Sequence, residues 1–263
     1  MFSLDAIDFE QIAQIVKDAA ALFGNDEAAA HVKVKGRADY VTEVDTAVQR
    51  MLYEQLAALY PEIQFMGEEK DNSRIDFDRP VWILDPVDGT TNLIHRFPGS
   101  SISLALACGH ELVAGLIYNP YLDELFFAKK GQGATRNGRA IHVSGAETLS
   151  QSLIATGTSP YRHEWADEVF GQIKAVYLRA QDIRRVGSAA MELAWVACGR
   201  LDGFFELTLS PWDFAAGLVI LTEAGGKLTD YSGAPVDFTR KSQVLATNGR
   251  IHDEMVGVLG GEE

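Results

Sequence analysis

The chain of 263 residues carries 37 acidic against 23 basic side chains, a net charge of −14, and is 47% hydrophobic. This balance argues against DNA, RNA and anionic membranes as broad partners, and it leaves apolar material for one large domain or two small ones. No apolar run approaches the ~18 residues of a membrane span. The start, Met1-Phe2-Ser3-Leu4-Asp5, lacks the basic and apolar regions of a signal peptide. Cys108 and Cys198 form no C-x-x-C pair, so both are expected to be reduced, buried thiols of a cytoplasmic protein.

Asp5 to Phe23 has the spacing of an amphipathic helix that Gly24 stops. His31 to Lys35 alternates like a strand, and Gly36-Arg37-Ala38-Asp39 reads as a loop. Thr42 is placed to cap a second helix, with Val44, Val48, Met51, Leu52, Leu56 and Leu59 toward the core and Asp45 in its first turn. An acid there complements the helix dipole whatever else it does. Ile63 to Met66 is a short apolar run, and the charged, aperiodic Lys70 to Pro80 reads as a surface loop.

Val81 to Leu84 reads as a buried strand, and it runs into Asp85-Pro86-Val87-Asp88-Gly89-Thr90-Thr91-Asn92. Pro86 fixes its own φ and Gly89 permits a conformation most residues avoid, so the two acids sit where the backbone turns sharply. Like charges ~4 Å apart repel by about 4 kcal/mol at an effective dielectric near 20 unless a cation lies between them. A lone Asp-x-x-Asp-Gly is most often a surface turn. Here a buried strand feeds it, and two more acidic clusters accompany it, Gly67-Glu68-Glu69 and Trp212-Asp213. Carboxylates without nearby Cys or His suit Mg²⁺ or Mn²⁺ rather than zinc.

Downstream, Ser101 to Cys108, Leu112 to Tyr118 and Glu124 to Ala128 read as an antiparallel meander. Gly131 to Gly138 is turn chemistry, and Arg136 breaks any dinucleotide-binding glycine pattern. From Leu149 the rhythm changes. Strands are expected near Ser152–Ala155, Asp182–Val186, Gly203–Leu207, Lys227–Thr229 and Gln243–Ala246. Helices are expected near Glu164–Tyr177, Gly187–Ala197 and Pro211–Ala224, with a short one from Ile251. Such alternation favours helices packed on a mixed sheet.

Taken together, G-E-E, then W-x-L-D-P-x-D-G-T-T-N, then P-W-D-x-A-A-G with E-A-G-G behind it, resemble the inositol monophosphatase family of metal-dependent sugar phosphatases. The match runs in order from about Lys35 to Gly226, and blocks at Gly187–Ala190 and Gly199–Glu206 are similar to its bacterial members. The resemblance implies a mixed α+β and α/β protein with a layered α/β/α/β/α fold. It has an N-terminal α+β half over residues 1–148, a C-terminal α/β half over 149–263, and the active site between them.

The resemblance also implies the roles. Glu68, Asp85 and the Val87 carbonyl would bind one Mg²⁺. Asp85, Asp88 and Asp213 would bind a second, and Glu68 a third through waters, with Mn²⁺ a possible substitute. Thr90, hydrogen-bonded to Asp45, would orient a metal-bound water for direct in-line attack on phosphorus. The backbone of Gly89 and Thr90 would cradle the phosphate. Asp88, Gly187, Ser188, Ala189 and Glu206 would contact the polyol. Val41-Thr42-Glu43-Val44-Asp45 fits the family pattern and moves Asp45 from helix start to active site. Lithium sensitivity and a homodimer are family expectations too.

Glu69 is open between supporting a ligand and being a solvated surface acid. Arg184 and Arg185 are open between reaching phosphate and being a surface ion-pairing pair, which a basic pair flanking a strand more often is, and His95 between touching substrate and the commoner case of facing solvent from a loop. Leu93 stands where the family often has an aromatic and Lys70 where it often has a serine. Substrate choice stays open among inositol monophosphates, fructose 1,6-bisphosphate, histidinol phosphate and adenosine 3′,5′-bisphosphate. A reading of another class is a regulatory binding protein in a transcription or RNA-processing complex.

Overall fold

The computed structural model describes residues 4–36 and 39–260. Its first helix, α1 (Phe9–Ala20), forms because Ile12, Ile15, Val16, Ala19 and Ala20 share one buried face. The Asp8 carboxylate caps it by accepting the Gln11 N–H at 2.9 Å. The helix is shorter than the expected Asp5–Phe23, because 3-10 turns at Leu4–Ala6 and Ala21–Gly24 flank it. A short helix, α2 (Asp26–Ala30), follows, and β1 (Val32–Gly36) and β2 (Asp39–Thr42) make an antiparallel ribbon. The loop expected at Gly36–Asp39 lies partly outside the described residues, and its two ends pair across the ribbon. Thr42 caps α3 (Glu43–Leu59) as its position predicts: its Oγ1 accepts the Val44 N–H at 3.1 Å.

A seven-stranded sheet comes next, its strands neighbouring in chain order. They are β3 (Gln64–Gly67), β4 (Val81–Asp88), β5 (Ser101–Cys108), β6 (Glu111–Asn119), β7 (Glu124–Lys129), β8 (Ala134–Arg136) and β9 (Arg139–Ile141). β3 and β4 are parallel, and each later neighbour is antiparallel. The turn expected over Gly131–Gly138 is narrower than predicted. Asn137 and Gly138, with φ of 49° and 73°, alone join β8 to β9, the two-residue hairpin that needs left-handed backbone at both positions. Helix α4 (Thr90–Ile94) lies between β4 and β5.

The second sheet has five strands in the order β11-β10-β12-β14-β13. These are β10 (Leu153–Thr156), β11 (Asp182–Arg184), β12 (Gly203–Leu209), β13 (Lys227–Thr229) and β14 (Ser242–Thr247). β10 is parallel to both β11 and β12, while β14 is antiparallel to β12 and β13, so the sheet is mixed. The helices are α5 (Ala166–Tyr177), α6 (Ala189–Ala197), α7 (Pro211–Glu223) and α8 (His252–Gly260).

Strand alternation stacks these pieces. On β4, Trp82 and Leu84 face α1 and α3, while Val81 and Ile83 face α6 and α7. On β12, Phe204 joins the α6–α7 core and Phe205 the core under α5 and α8. The layers are therefore α1/α3, the larger sheet, α6/α7, the smaller sheet and α5/α8. Apart from Glu192, and from Asp213 and Glu223 near the ends of α7, helices α6 and α7 are apolar on every side because both sides of each are covered. Their approach is close: a Cβ on Gly115 of β6 would lie 2.4 Å from the Ala216 carbonyl oxygen of α7. Among the described residues no helix is long and apolar enough to cross a membrane.

Candidate active site

The strand expected to end at Leu84 continues to Asp88, and its pairing with β5 shifts between Asp85 and Asp88. Pro86 has no N–H for the ladder, so the strand bulges there. The bulge folds the chain back far enough for Asp85 Oδ1 to accept the Val87 N–H at 2.9 Å. Gly89 follows with φ 90°, and a Cβ there would sit 3.1 Å from the Gly187 carbonyl oxygen. Two chain segments about a hundred residues apart touch at these glycines.

The other acids are held by helix starts. Asp88 Oδ2 accepts the Ser188 hydroxyl at 2.5 Å and the Ala190 N–H at 2.8 Å, which ties it to the first turn of α6. Asp213 Oδ2 accepts the Ser210 N–H at 2.6 Å in the first turn of α7. Asp45 Oδ2 accepts the Thr42 N–H at 2.8 Å, and its Oδ1 accepts the Thr90 hydroxyl at 3.0 Å. The Val87 carbonyl oxygen lies 3.1 Å from the same hydroxyl. One hydrogen serves one acceptor, so donation to Asp45 leaves the carbonyl unengaged by Thr90.

One cleft of about 170 Å³ is lined by Glu68, Asp85, Val87, Asp88, Gly89, Thr90, Gly187, Ser188, Ala189, Glu206 and Asp213. All the residues to which the resemblance gives a site role are there except Asp45, which stands fully buried behind Thr90. The cleft is electrostatically loaded. Burial, then repulsion from Glu68, Asp88 and Asp213, pushes the Asp85 carboxyl well above its usual range. Burial and the charges of Glu68 and Asp88 do the same to Asp213. Burial raises Glu68 to about 7, against the pull of Lys35. It raises Asp88 to about 6, against the donors at the start of α6. Glu206, buried and accepting the Ser159 N–H at 3.1 Å, is raised to about 7.

The donor set is all oxygen, at least half-buried and mutually repelling, which fits a hard divalent cation. Among the described residues, no three His, Cys, Asp or Glu side chains already stand grouped as a metal site. The side chains fit such an ion as a set of converging carboxylates rather than as a closed shell.

Several expectations change. Arg184 does pair at the surface, with Asp182 at 2.5 Å, but Arg185 lines the cleft. Glu69 is no solvated acid: it is largely buried and ion-paired with Lys35. His95 is exposed and does not line the cleft. Cys108 and Cys198 are free but half-buried rather than buried. Lys70 donates to the Phe65 carbonyl at 2.8 Å and covers the Tyr53 and Phe65 rings. Tyr40, Tyr161 and Glu192 also line the cleft and were not anticipated. Only Glu192 left a signal in the sequence, as a lone charge within the apolar run Ala189–Ala197. It is 1% exposed and accepts the Val186 N–H at 2.9 Å.

Comparison with known proteins agrees with this geometry. The model of the inositol monophosphatase family matches residues 3–259. Inositol monophosphatase 2 of Solanum lycopersicum is 40% identical over 240 residues, covering 89% of this chain and 90% of the relative. A Xylella fastidiosa protein named Nus factor SuhB is 39% identical over 207 residues, covering 78% of this chain and 74% of its own. The crystal structure of the extragenic suppressor protein suhB from Bartonella henselae superposes with a TM-score of 0.87 at 34% identity, covering 95% and 97% of the two chains. With its layered fold, its convergent carboxylates and a match over nearly its whole length, the chain belongs to the inositol monophosphatase family.

Proposed function

We propose that the chain is a phosphomonoesterase that hydrolyses inositol monophosphates and similar polyol phosphates with the help of Mg²⁺ or Mn²⁺. The observation that carries this reading is the Thr90–Asp45 hydrogen bond standing beside the carboxylates of Glu68, Asp85, Asp88 and Asp213 in one cleft. Glu68, Asp85, Asp88, Asp213 and the Val87 carbonyl would hold the cations. The chemistry supplied by bound cations is charge neutralisation at the phosphoryl and leaving oxygens.

The chain's own residues do the rest. Thr90 Oγ1 gives its hydrogen to Asp45 and accepts one from a water, aiming that water at phosphorus. As the water oxygen bonds to phosphorus and the ester bond breaks, the water's proton passes to Thr90 while Thr90's own goes to Asp45, and the departing alkoxide takes a proton from a second water to leave as the alcohol. Burial raises the proton affinity of Asp45, which suits it to that role. The backbone N–H groups of Gly89 and Thr90 would meet the phosphate. Glu206, with Gly187, Ser188 and Ala189, would take the hydroxyls of the polyol. The exposed Phe170, Tyr177 and Leu178 on and just after α5 support the expected homodimer, which sedimentation would test.

The deciding experiment is phosphate release from inositol 1-phosphate, fructose 1,6-bisphosphate and adenosine 3′,5′-bisphosphate, with Mg²⁺ and with EDTA. Preference for inositol 1-phosphate that EDTA abolishes supports the reading. Turnover unaffected by EDTA overturns the metal assignment, and preference for another substrate overturns the pocket assignment.

A further inference from the structure

Glu68 reaches the cleft from the end of β3, and its backbone there is gripped from both sides by side-chain amides. Gln49, on α3, donates from Nε2 to the Glu69 carbonyl at 3.0 Å and accepts the Glu69 N–H on Oε1 at 3.0 Å. Asn72, in the following loop, accepts the Gly67 N–H on Oδ1 at 3.2 Å and donates from Nδ2 to the Gly67 carbonyl at 2.8 Å. Each amide meets one residue with both a donor and an acceptor, as a neighbouring strand would. The two residues so held are those immediately before and after Glu68. Gly67 must be small for this: a Cβ there would lie 2.3 Å from Gln49 Oε1 and displace the amide. Neutral amides also suit a region already crowded with acids, since a carboxylate in their place could only accept and would add repulsion. Neither Gln49 nor Asn72 lines the cleft.

We propose that Gln49 and Asn72 are positioning residues for Glu68, fixing the backbone on both sides so that its carboxylate, which has Lys35 Nζ 3.6 Å away, stands at cation-binding reach. The proposal rests on the reading of Glu68 as a carboxylate that holds a divalent cation. A purely structural bracket, covering the open edge of β3, would change melting and leave cation affinity alone. Partners that orient a metal-binding side chain typically change affinity by about 10- to 100-fold when removed.

The test is calorimetric titration of Mn²⁺ into the wild type, Glu68→Gln, Gln49→Met and Asn72→Leu, with metal-free melting as the fold control. Glu68→Gln and both amide variants are expected to weaken the same binding step, the amide variants by about tenfold or more. Wild-type affinity in folded Gln49→Met and Asn72→Leu overturns the proposal. Should either variant not fold, Gln49→Asn and Asn72→Gln keep the amide and misplace it by one methylene. The same loss is expected of them, and wild-type affinity there overturns the proposal equally. Wild-type affinity in Glu68→Gln removes Glu68 from cation binding, which is the failure of the underlying reading and is seen without reference to the amides.

Discussion

The Thr90 hydroxyl donates to Asp45 Oδ1 at 3.0 Å, joining the first turn of α4 to the first turn of α3 across 45 residues of chain. Asp45 is held in turn by the Thr42 N–H, which fixes where that acceptor stands. Thr90→Ala is expected to lower kcat about tenfold or more while KM moves less, since in the proposed mechanism the contact orients a reacting water rather than substrate. Thr90→Ser should keep most of the activity. Equal kcat in Thr90→Ala and the wild type would remove Thr90 from the chemistry.

Asp85→Asn and Asp213→Asn should abolish turnover and, unusually, raise the melting temperature of the metal-free protein. Each removes one charge from a buried cluster in which burial and neighbouring carboxylates already disfavour ionisation. Thermal melts in EDTA and a phosphate-release assay in Mg²⁺ read the two effects separately.

Glu206 sets a pH dependence whose sign is defined. Its folded-state value is about 7 against an ordinary 4.5, so between those limits the folded protein holds a proton that the unfolded chain has lost. Metal-free stability should therefore fall as pH rises from about 4.5 to about 7, and Glu206→Gln should flatten the slope. Melting curves across that range that coincide for the two proteins would show that Glu206 does not titrate there.

Mg²⁺ should reverse that trend. Cations bind the deprotonated carboxylates, so the gain in melting temperature on adding Mg²⁺ should be larger at pH 8 than at pH 5. At a concentration a hundredfold above Kd the gain is about 2.7 kcal/mol. An equal shift at both pH values would argue against carboxylate binding.

Gly115→Ala should destabilise the fold by about 1–3 kcal/mol or more. The added methyl would meet the Ala216 backbone rather than a side chain that could swing away, so β6 and α7 must part. Chemical denaturation measures this, and a change within error would mean that the layers slide more easily than their packing indicates.

Much of this protein was legible without coordinates. Thr42 caps a helix because a hydroxyl before an apolar periodicity accepts free N–H groups wherever it occurs, and the meander from Ser101 to Ala128 follows from alternation and turns. The acid blocks were legible because their residue types and order carry the chemistry. Strand ends were harder. Val81–Leu84 continues to Asp88 because pairing with β5 extends it past the proline, and β8 hides among glycines because β7 and β9 supply its hydrogen bonds. Arg185 and Glu192 were missed or misread for a similar reason: whether a charge faces a cleft depends on what lies opposite.

By itself the sequence determined the local structure and the inventory of candidate oxygen donors, since caps, periodicity and turn residues act over a few positions. The tertiary structure decided which groups meet. Asp88 finds its donors about a hundred residues away at the start of α6, and Gly89 packs against Gly187. Thr90 gains a direction only when α3 and α4 are brought side by side. Such contacts depend on how the two sheets stack around α6 and α7, a long-range packing outcome that no stretch of a few residues encodes.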